Sequence, residues 1–462
     1  MNRFLRVLRD SEDISMNKTT LKALLLLCLA VCALAGWERT YGTINYEAGR
    51  AVKETSDGGF VVVGSYSLGP GPTYDVYVIK TDGNGNLLWS RTYGGSEEDA
   101  AFDLVLTDSD EIVIAATTRS FTPSEGSHPY VLKLNDRGDT LWSRMYDSPC
   151  GESSNSIDET FDGGYIIAGH RGCGPDQDSY LMKINSFGDT LWTNTYDGGL
   201  ILDELYSVTK TPDGGYIACG MSDNGSPWLY CPYAMKADSL GEFEWERIWG
   251  EYLGGSEFRS VIRASDGGYI LCGTGVLIAK IDELGDTVWT RYYGGSYCEI
   301  GYCVAPTFDG GYIICGVSLA YDTGNVLLIK TNAIGDTIWT RILGGPRGDC
   351  GYCVAQTSDS GYIIAGYTYS FGAGDGDVYL IKTDSLGYTG IEENPPAARP
   401  GNIALSAYPN PFNSSMRFAI DAPSVEKQKF ASLRIEIFDI SGRKVDEISA
   451  DNPVDTIFKR KR

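Results

Sequence analysis

The chain has 462 residues, with 61 acidic and 38 basic side chains and a formal net charge of −23. No basic stripe offsets this charge, which argues against nucleic acid and anionic membranes as partners. The length allows one large domain and one small one. The 57 glycines and 30 tyrosines favour an all-β fold of short strands and tight turns.

The first segment has the features of an export signal. Two lysines precede an apolar run from Ala23 to Ala35, which is too short to span a bilayer. The run ends in Ala-Leu-Ala, the small-x-small pattern that signal peptidase cleaves. We therefore predict a signal peptide over residues 1–35, translated from Met16, with cleavage between Ala35 and Gly36. The mature chain would then be secreted or held on the outer cell surface, without a membrane span.

A repeat occupies most of the remaining chain. Seven tryptophans recur at intervals of 44 to 53 residues: Trp37, Trp89, Trp142, Trp192, Trp245, Trp289 and Trp339. Between them runs Asp-Gly-Gly-Tyr or a relative of it, starting at Asp57, Asp162, Asp213, Asp266, Asp309 and Asp359, with a degraded copy at Ser109. A period of this length indicates seven copies of one structural unit.

Each copy predicts four short antiparallel strands, here named a to d in chain order. The last copy shows three of them as "GYCVAQT", "GYIIAGY" and "DVYLIKT", with a glycine-containing hairpin turn between strands a and b. Strand d carries Trp, Arg and Tyr at alternate positions, which places them on one face. Four such strands per unit are typical of a propeller blade.

The order of the copies predicts how the ring closes. The seventh copy ends after strand c at Thr383, and no tryptophan-bearing strand follows it. The missing strand d stands at the front of the repeat, as Trp37–Tyr41. We therefore predict a seven-bladed β-propeller over residues 36–388, closed by pairing of Trp37–Tyr41 with Asp377–Thr383, which removes the free edge between the first and last blades.

The repeat, with its strand, Asp–Gly turn and Trp-bearing strand, resembles that of quinoprotein-like propellers over residues 37–388. The quinone-binding enzymes of that group use a pair of adjacent cysteines and a calcium site. No Cys-Cys step occurs in this chain, so the resemblance does not extend to the cofactor, and we expect none.

The tail follows a Pro- and Glu-rich linker at residues 389–402. The motif "YPNPF" at residues 408–412, with Ile437-Phe438-Asp439 and Gly442-Arg443-Lys444-Val445, resembles the Ig-like C-terminal sorting module of type IX secretion. The resemblance implies that residues 403–462 contact the secretion machinery. The final strands of that family, with their Gly-x-Tyr pattern, are missing, so we expect a small, incomplete Ig-like β-sandwich. The alternative is a plain structural β-module.

The chain has two histidines and no Gly-x-Ser-x-Gly, P-loop or His-Glu-x-x-His sequence, the common catalytic motifs. One regular feature is an acid at the start of strand a: Glu47, Asp99, Glu152, Asp203, Glu299 and Asp349. These acids could form a ring that holds a cation near the channel mouth. Alternatively, they could pair with the arginines found two residues after six of the seven tryptophans, and repetition favours this structural role.

The loops suggest which face binds. The a–b and c–d turns are short and nearly identical, whereas the d–a and b–c loops on the other face vary, and recognition residues concentrate in such loops. The variable loops carry aromatic candidates for ligand binding: Trp228, Tyr230, His128, Tyr369 and Phe371. They could form a sugar-binding platform or fold down to cap the blades.

Cys150 and Cys173 lie in loops on the same face of the third blade, at positions that are not cysteine in the other copies. Because export permits disulfides, we predict a bridge between them.

Three functional hypotheses remain open from the sequence. The first is an exported or surface-displayed propeller that binds a ligand, carbohydrate or protein, without catalysis. The second is a propeller enzyme acting on polysaccharide with acids of the d–a loops. The third is a purely structural surface component. The sequence assigns no metal, no ligand identity and no oligomeric state.

Overall fold

The structure is a computed structural model. It describes residues 36–67, 73–121, 126–147, 151–172, 177–196, 202–223, 230–249, 256–294, 299–319 and 323–390, together with five short strands outside these ranges. Every regular element among the described residues is a β-strand. That part of the chain accordingly contains no helix long and apolar enough to cross a membrane.

Seven four-stranded antiparallel sheets form the blades, each in the order a-b-c-d. The a strands are Glu47–Glu54, Asp99–Leu106, Gly151–Glu159, Asp203–Lys210, Phe258–Arg263, Ile300–Pro306 and Asp349–Gln356. The b strands are Phe60–Ser67, Ile112–Thr118, Tyr165–Gly172, Tyr216–Ser222, Tyr269–Gly273, Tyr312–Ser318 and Tyr362–Thr368. The c strands are Tyr74–Thr81, His128–Leu134, Gln177–Ile184, Cys231–Ala237, Leu277–Ile281, Asn325–Thr331 and Asp377–Thr383. The d strands are Leu87–Tyr93, Thr140–Met145, Thr190–Tyr196, Phe243–Ile248, Thr287–Tyr292, Thr337–Leu343 and, in the seventh blade, Trp37–Tyr41.

The ring closes as the sequence predicts. Trp37–Tyr41 pairs antiparallel with Asp377–Thr383, with Trp37 opposite Lys382 and Tyr41 opposite Val378. The seventh blade is therefore assembled from both ends of the repeat.

The hydrophobic core is divided into seven layers, each between two adjacent blades. The layer between blades 7 and 1 contains Ile363 and Leu380 from one side and Val62 and Ile79 from the other, all at most 1% exposed. Because every blade is buried on both faces by its neighbours, the b and c strands are almost continuously apolar.

Strand d fastens each blade to the next through the predicted Trp-Arg-Tyr face. Trp37 Nε1 donates a hydrogen bond to the Gly83 carbonyl (3.2 Å), and the Tyr41 hydroxyl donates to the Gly85 carbonyl (2.6 Å), both in the c–d turn of blade 1. Gly85 has a positive φ of 73° and lies against the Trp37 ring and the Arg39 side chain. The glycine of the c–d turn thus provides the surface on which the preceding blade packs.

A buried lysine near the end of strand c pairs with an acid at the a–b turn of the same blade. The pairs are Lys80–Asp57, Lys183–Asp162, Lys236–Asp213, Lys280–Asp266, Lys330–Asp309 and Lys382–Asp359. In the degraded second copy, Lys133 pairs with Glu111 instead (2.8 Å). These lysines are therefore part of the scaffold.

Residues 1–33 and 391–462 form a second compact unit. Its described strands are Leu5–Val7, Leu433–Phe438 and Lys444–Ala450 in one sheet and Ala404–Tyr408 with Arg417–Asp421 in another. The Ig-like, incomplete sorting module stays a prediction.

Candidate ligand-binding site

A β-bulge interrupts strand a at the same place in all seven blades. The extra residue is not paired in the sheet, and a bulge redirects its side chain. The seven bulged residues line the central channel, and we call them the channel ring: Arg50, Phe102, Asn155, Tyr206, Arg259, Tyr302 and Tyr352. The residue types differ from blade to blade, whereas the bulge itself is repeated.

Aromatic and guanidinium groups stack along the channel ring. The Arg50 guanidinium lies 4.1 Å from the Tyr352 ring centroid, and the Arg259 guanidinium lies 4.1 Å from that of Tyr206. Tyr302 meets Tyr352 edge to face, with ring centroids 5.0 Å apart. The cavity they enclose has a volume of about 480 Å³, which is within the range of small-molecule sites.

In three blades, a hydrogen bond between the residue after the bulge and the next blade holds the channel wall. Ser156, Ser207 and Ser260 each accept the backbone N–H of the next blade's strand a, at 3.3, 3.1 and 3.3 Å. Ala51 has no hydroxyl to do so, and the Leu104 N–H is instead bonded by the Asp103 carboxylate (2.8 Å). The small serine at this position therefore has a hydrogen-bonding role.

The channel ring contains two arginines, and only one of them has a carboxylate of the described chain as its partner. Arg259 forms an ion pair with Glu257, which lies two residues earlier (Nη2–Oε1 2.5 Å). Burial disfavours the charged form of Arg259, but Glu257 outweighs this and raises the pKa of the guanidinium. In blade 1 the position equivalent to Glu257 is Ala48. Among the described residues no carboxylate forms an ion pair with Arg50, and its buried Nε atom has no hydrogen-bond partner.

Four tyrosines of blades 1 and 7 meet on the face that carries the d–a and b–c loops. Tyr46, Tyr74, Tyr367 and Tyr369 line a groove of about 960 Å³, together with Thr323, Arg347, Gly348 and Asp375. We call this the tyrosine groove. Its ring centroids are 5.2 to 6.3 Å apart.

The groove and the channel are joined by ring contacts. Tyr367 contacts Tyr369 in the groove (5.2 Å) and Tyr352 in the channel ring (5.6 Å between centroids). Burial raises the pKa of Tyr46 above its ordinary value and that of Tyr352 to about 12. Both phenols are therefore neutral at pH 7 and present a hydroxyl beside an apolar ring.

The aromatic residues predicted to bind ligand do not form one site in the structure. Tyr369 is in the tyrosine groove and is 37% exposed. Phe371 is 42% exposed but packs on Tyr379 of its own blade (5.8 Å), as expected of a blade cap. Tyr230 is half-buried in the fourth blade, and Trp228 lies outside the described residues.

His128 needs a correction, because its side chain is fully buried at the start of strand c, with Nδ1 3.7 Å from the Asp147 carboxylate. A ligand on the loop face cannot reach the imidazole, and we do not retain His128 in the candidate site.

The acids at the start of strand a face the d–a loops. The Glu47 carboxylate accepts bonds from the Thr43 N–H (3.0 Å) and hydroxyl (2.7 Å), and Asp99 accepts the Gly95 N–H (2.7 Å). Asp349 accepts the equivalent N–H of Gly345 (2.7 Å). Glu152 pairs with an arginine, Glu299 accepts a serine hydroxyl, and Asp203 is buried. None of the six lines the channel cavity, so the geometry favours a loop-fastening role over a cation-binding ring.

The arginines of strand d do not serve these acids in the way predicted. Six of them lie over the tryptophan two residues earlier, at 5.1 to 6.0 Å. Arg91 and Arg247 pair with Asp139 (2.8 Å) and Asp286 (3.4 Å) in the c–d turn of the next blade. Their contacts belong to the interface between blades.

Within the described ranges, no group of three or more His, Cys, Asp or Glu side chains is arranged to hold a metal ion. Cys150 and Cys173 lie outside those ranges, as does Ala35 of the predicted cleavage site, so the disulfide and the cleavage stay predictions.

These features define a seven-bladed β-propeller with a bulge-lined channel and a tyrosine groove at one face. No protein-family model and no curated protein matches the chain. Solved structures similar to it include a protein of unknown function from Dyadobacter fermentans (13% identity, 75% of this chain, 98% of that chain, TM-score 0.42). Others are Chaetomium thermophilum Sqt1 bound to the N-terminus of ribosomal protein L10 (12%, 74%, 98%, 0.46) and BamB from Moraxella catarrhalis (12%, 73%, 86%, 0.39). The fold itself rests on the sheet order and strand pairing described above.

Proposed function

We propose that this protein is an exported, non-catalytic binding module whose ligand enters through the tyrosine groove. The groove carries the proposal, because it combines stacking faces, hydroxyls, one arginine and one acid on the variable face of a rigid scaffold. Such a surface suits a carbohydrate, whose apolar faces stack on rings while its hydroxyls form hydrogen bonds. A protein ligand is the alternative, since tyrosine is also enriched at protein interfaces.

The two rival functions have less support. An enzyme using acids of the d–a loops would need carboxylates open to substrate, but Glu47, Asp99 and Asp349 are at most 1% exposed and hold their own loops. A purely structural component would not require seven channel-ring positions of differing chemistry.

The test is a glycan and protein binding screen with the full chain, followed by Tyr369→Ala. We expect at least a tenfold loss of affinity, as for a central aromatic contact. The matched control is Tyr292→Ala, since Tyr292 is also exposed (56%) but belongs to the outer strand of blade 5. The double variant Trp228→Ala/Tyr230→Ala examines the fourth-blade loop. Unchanged affinity in Tyr369→Ala would contradict the groove, and a loss confined to the double variant would move the site to that loop.

Export and anchoring are further parts of the proposal, supported by the sequence alone. We propose quinoprotein-like ancestry for residues 36–388, a linker at 389–402, and contact of residues 403–462 with the type IX secretion machinery. N-terminal sequencing of secreted protein should give Gly36. Residues 403–462 can then be deleted. Retention of the shortened chain inside the cell would support the sorting role, whereas unaffected secretion would contradict it.

A further inference from the structure

Arg50 and Arg259 occupy the same bulged position in blades 1 and 5, and they make the same stacking contact at the same distance. Each guanidinium lies 4.1 Å from a tyrosine ring centroid in the channel ring. The same arrangement therefore occurs twice in the protein, and a difference between the two copies indicates what Arg50 lacks.

The difference between the two copies is a carboxylate. Glu257 neutralises Arg259 through both Nε (2.7 Å) and Nη2 (2.5 Å). At Arg50, the equivalent residue Ala48 supplies none, and the Nε atom is buried without a hydrogen-bond partner. A guanidinium is a planar donor that matches a carboxylate in shape, and an unsatisfied buried donor is costly.

Other charges around Arg50 do not fill this role in the described part of the chain. Lys53, three residues further along the same strand, interacts with Asp103 of blade 2 and Asp158 of blade 3. Those two acids are in turn bonded to the channel wall, Asp103 by the Ile157 N–H (3.1 Å) and Asp158 by the Lys210 N–H (3.1 Å). Arg50 is left facing a cavity that all seven blades line.

We propose that Arg50 receives a carboxylate carried by the ligand, and that the ligand is an acidic saccharide with a uronic acid unit in the channel mouth. The carboxylate would complete at Arg50 the pairing that Glu257 completes at Arg259. The sugar ring would stack on one of the rings of Tyr352, Tyr367 and Tyr369, which contact one another in series from the channel to the groove. This inference rests on the proposed function and specifies its ligand class.

The experiment measures binding of glucuronate, glucose and succinate to the full chain by calorimetry or by ligand-detected NMR. Glucuronate should bind more tightly than either of the others, because it alone offers both the carboxylate and the sugar ring. Arg50→Met keeps an unbranched side chain over Tyr352 and removes the charge. It should weaken glucuronate binding by about tenfold or more, the usual effect of one charge-assisted hydrogen bond.

The matched control is Arg263→Gln, which removes an exposed arginine of the same type of strand from outside the cavity lining, and it should leave binding unchanged. Equal glucuronate affinity in Arg50→Met and the parent protein would overturn the inference, as would equal binding of glucuronate and glucose. Preference for succinate would overturn the saccharide assignment. If a neutral ligand found in the screen bound through Tyr369 regardless of Arg50, the proposed function would stand and this inference would fail.

Discussion

At the scale of single residues, two buried carboxyl groups face each other between blades 1 and 2. Asp75 and Asp99 both lie beside Gly94, and neither Asp75 Oδ1 nor Asp99 Oδ1 has a hydrogen-bond partner among the described residues. Burial, and then the charge of Asp99, raises the pKa of Asp75. A raised carboxyl pKa means that the folded state binds the proton more tightly, so this site gains stability as the pH falls towards that pKa.

We therefore expect Asp75→Asn to stabilise the protein at pH 7. The amide removes the repulsion and can donate to Asp99, which is worth about 1–2 kcal/mol. Urea unfolding at pH 7 and at mildly acidic pH measures the effect, which should shrink as Asp75 of the parent protein becomes protonated. A destabilised Asp75→Asn variant would show that this carboxylate is needed in its charged form.

The lysine–aspartate pairs have the opposite pH dependence. The pKa of Asp57 is lowered to about 2 by the Thr55 hydroxyl, the Gly59 N–H and Lys80, against the effect of burial. This stabilisation is present above the ordinary aspartate pKa near 4 and is lost as the pH falls from about 4 to about 2.

Asp57→Asn should accordingly destabilise the protein at pH 7, because it leaves the Lys80 ammonium, 7% exposed, without its counter-charge. The loss should be smaller than the roughly 3–5 kcal/mol typical of a broken buried pair, since the Asp57 side chain is 61% exposed and solvent screens it. Unfolding free energies should converge for the two proteins near pH 2. A difference that persisted there would assign the effect to packing or backbone geometry.

At the scale of the strands and turns, the c–d turn is the element that joins neighbouring blades. In blade 1, Gly58 of the a–b turn and Gly85 of the c–d turn have nearly the same φ, 76° and 73°. A Cβ at Gly58 would meet nothing within 4 Å, whereas one at Gly85 would lie 2.7 Å from the Trp37 ring.

Both alanine substitutions should therefore cost about 1–2 kcal/mol for the left-handed backbone, and Gly85→Ala should cost a further 1–3 kcal/mol for overpacking against Trp37. Gly58→Ala is the control for backbone strain alone. Equal unfolding free energies for the two variants would show that the d strand adjusts freely on the turn.

The strands could be predicted because their sequence pattern repeats in every blade. The binding residues could not be predicted in this way, because they differ from blade to blade. The spacing of tryptophans and Asp-Gly turns predicted the blades, and the Trp-Arg-Tyr alternation predicted that these side chains share one face of strand d. The pairing of the strand-c lysines has no local signal in the sequence, since Asp57 and Lys80 belong to different hairpins. Residue composition does not reveal the bulges at Arg50 and its equivalents. Variation at one position of an otherwise regular repeat is a sequence feature that could have indicated them.

At the scale of the whole molecule, the tyrosine groove exists only because the ring is closed. Tyr46 and Tyr74 come from the beginning of the repeat and Tyr367 and Tyr369 from its end, so the sequence alone separates them by about 300 residues. The sequence pointed to Tyr369 because its loop is variable. It could not identify the other three, because their proximity follows from the pairing of blade 7 with blade 1.

Closure through Trp37–Tyr41 should consequently affect both stability and binding. This strand supplies five paired residues to blade 7, and it also packs Trp37 and Tyr41 on blade 1. Without it, the c strand of blade 7 becomes an open edge, and the hydrophobic layer between blades 7 and 1 is more exposed to solvent. Separation of these two blades then costs less free energy.

We expect a chain that begins at Gly42 to melt at a markedly lower temperature than one that begins at Gly36, and to lose ligand binding at temperatures where the remaining blades stay folded. Calorimetry and amide hydrogen exchange measure the two effects, with exchange increasing first in blades 7 and 1. Adding a synthetic peptide of residues 36–41 should partly restore the melting temperature and the ligand binding. The peptide can pair with the c strand of blade 7 without a covalent link to blade 1. If the shortened chain melted at the same temperature and kept full affinity, strand pairing would not be what holds the groove together.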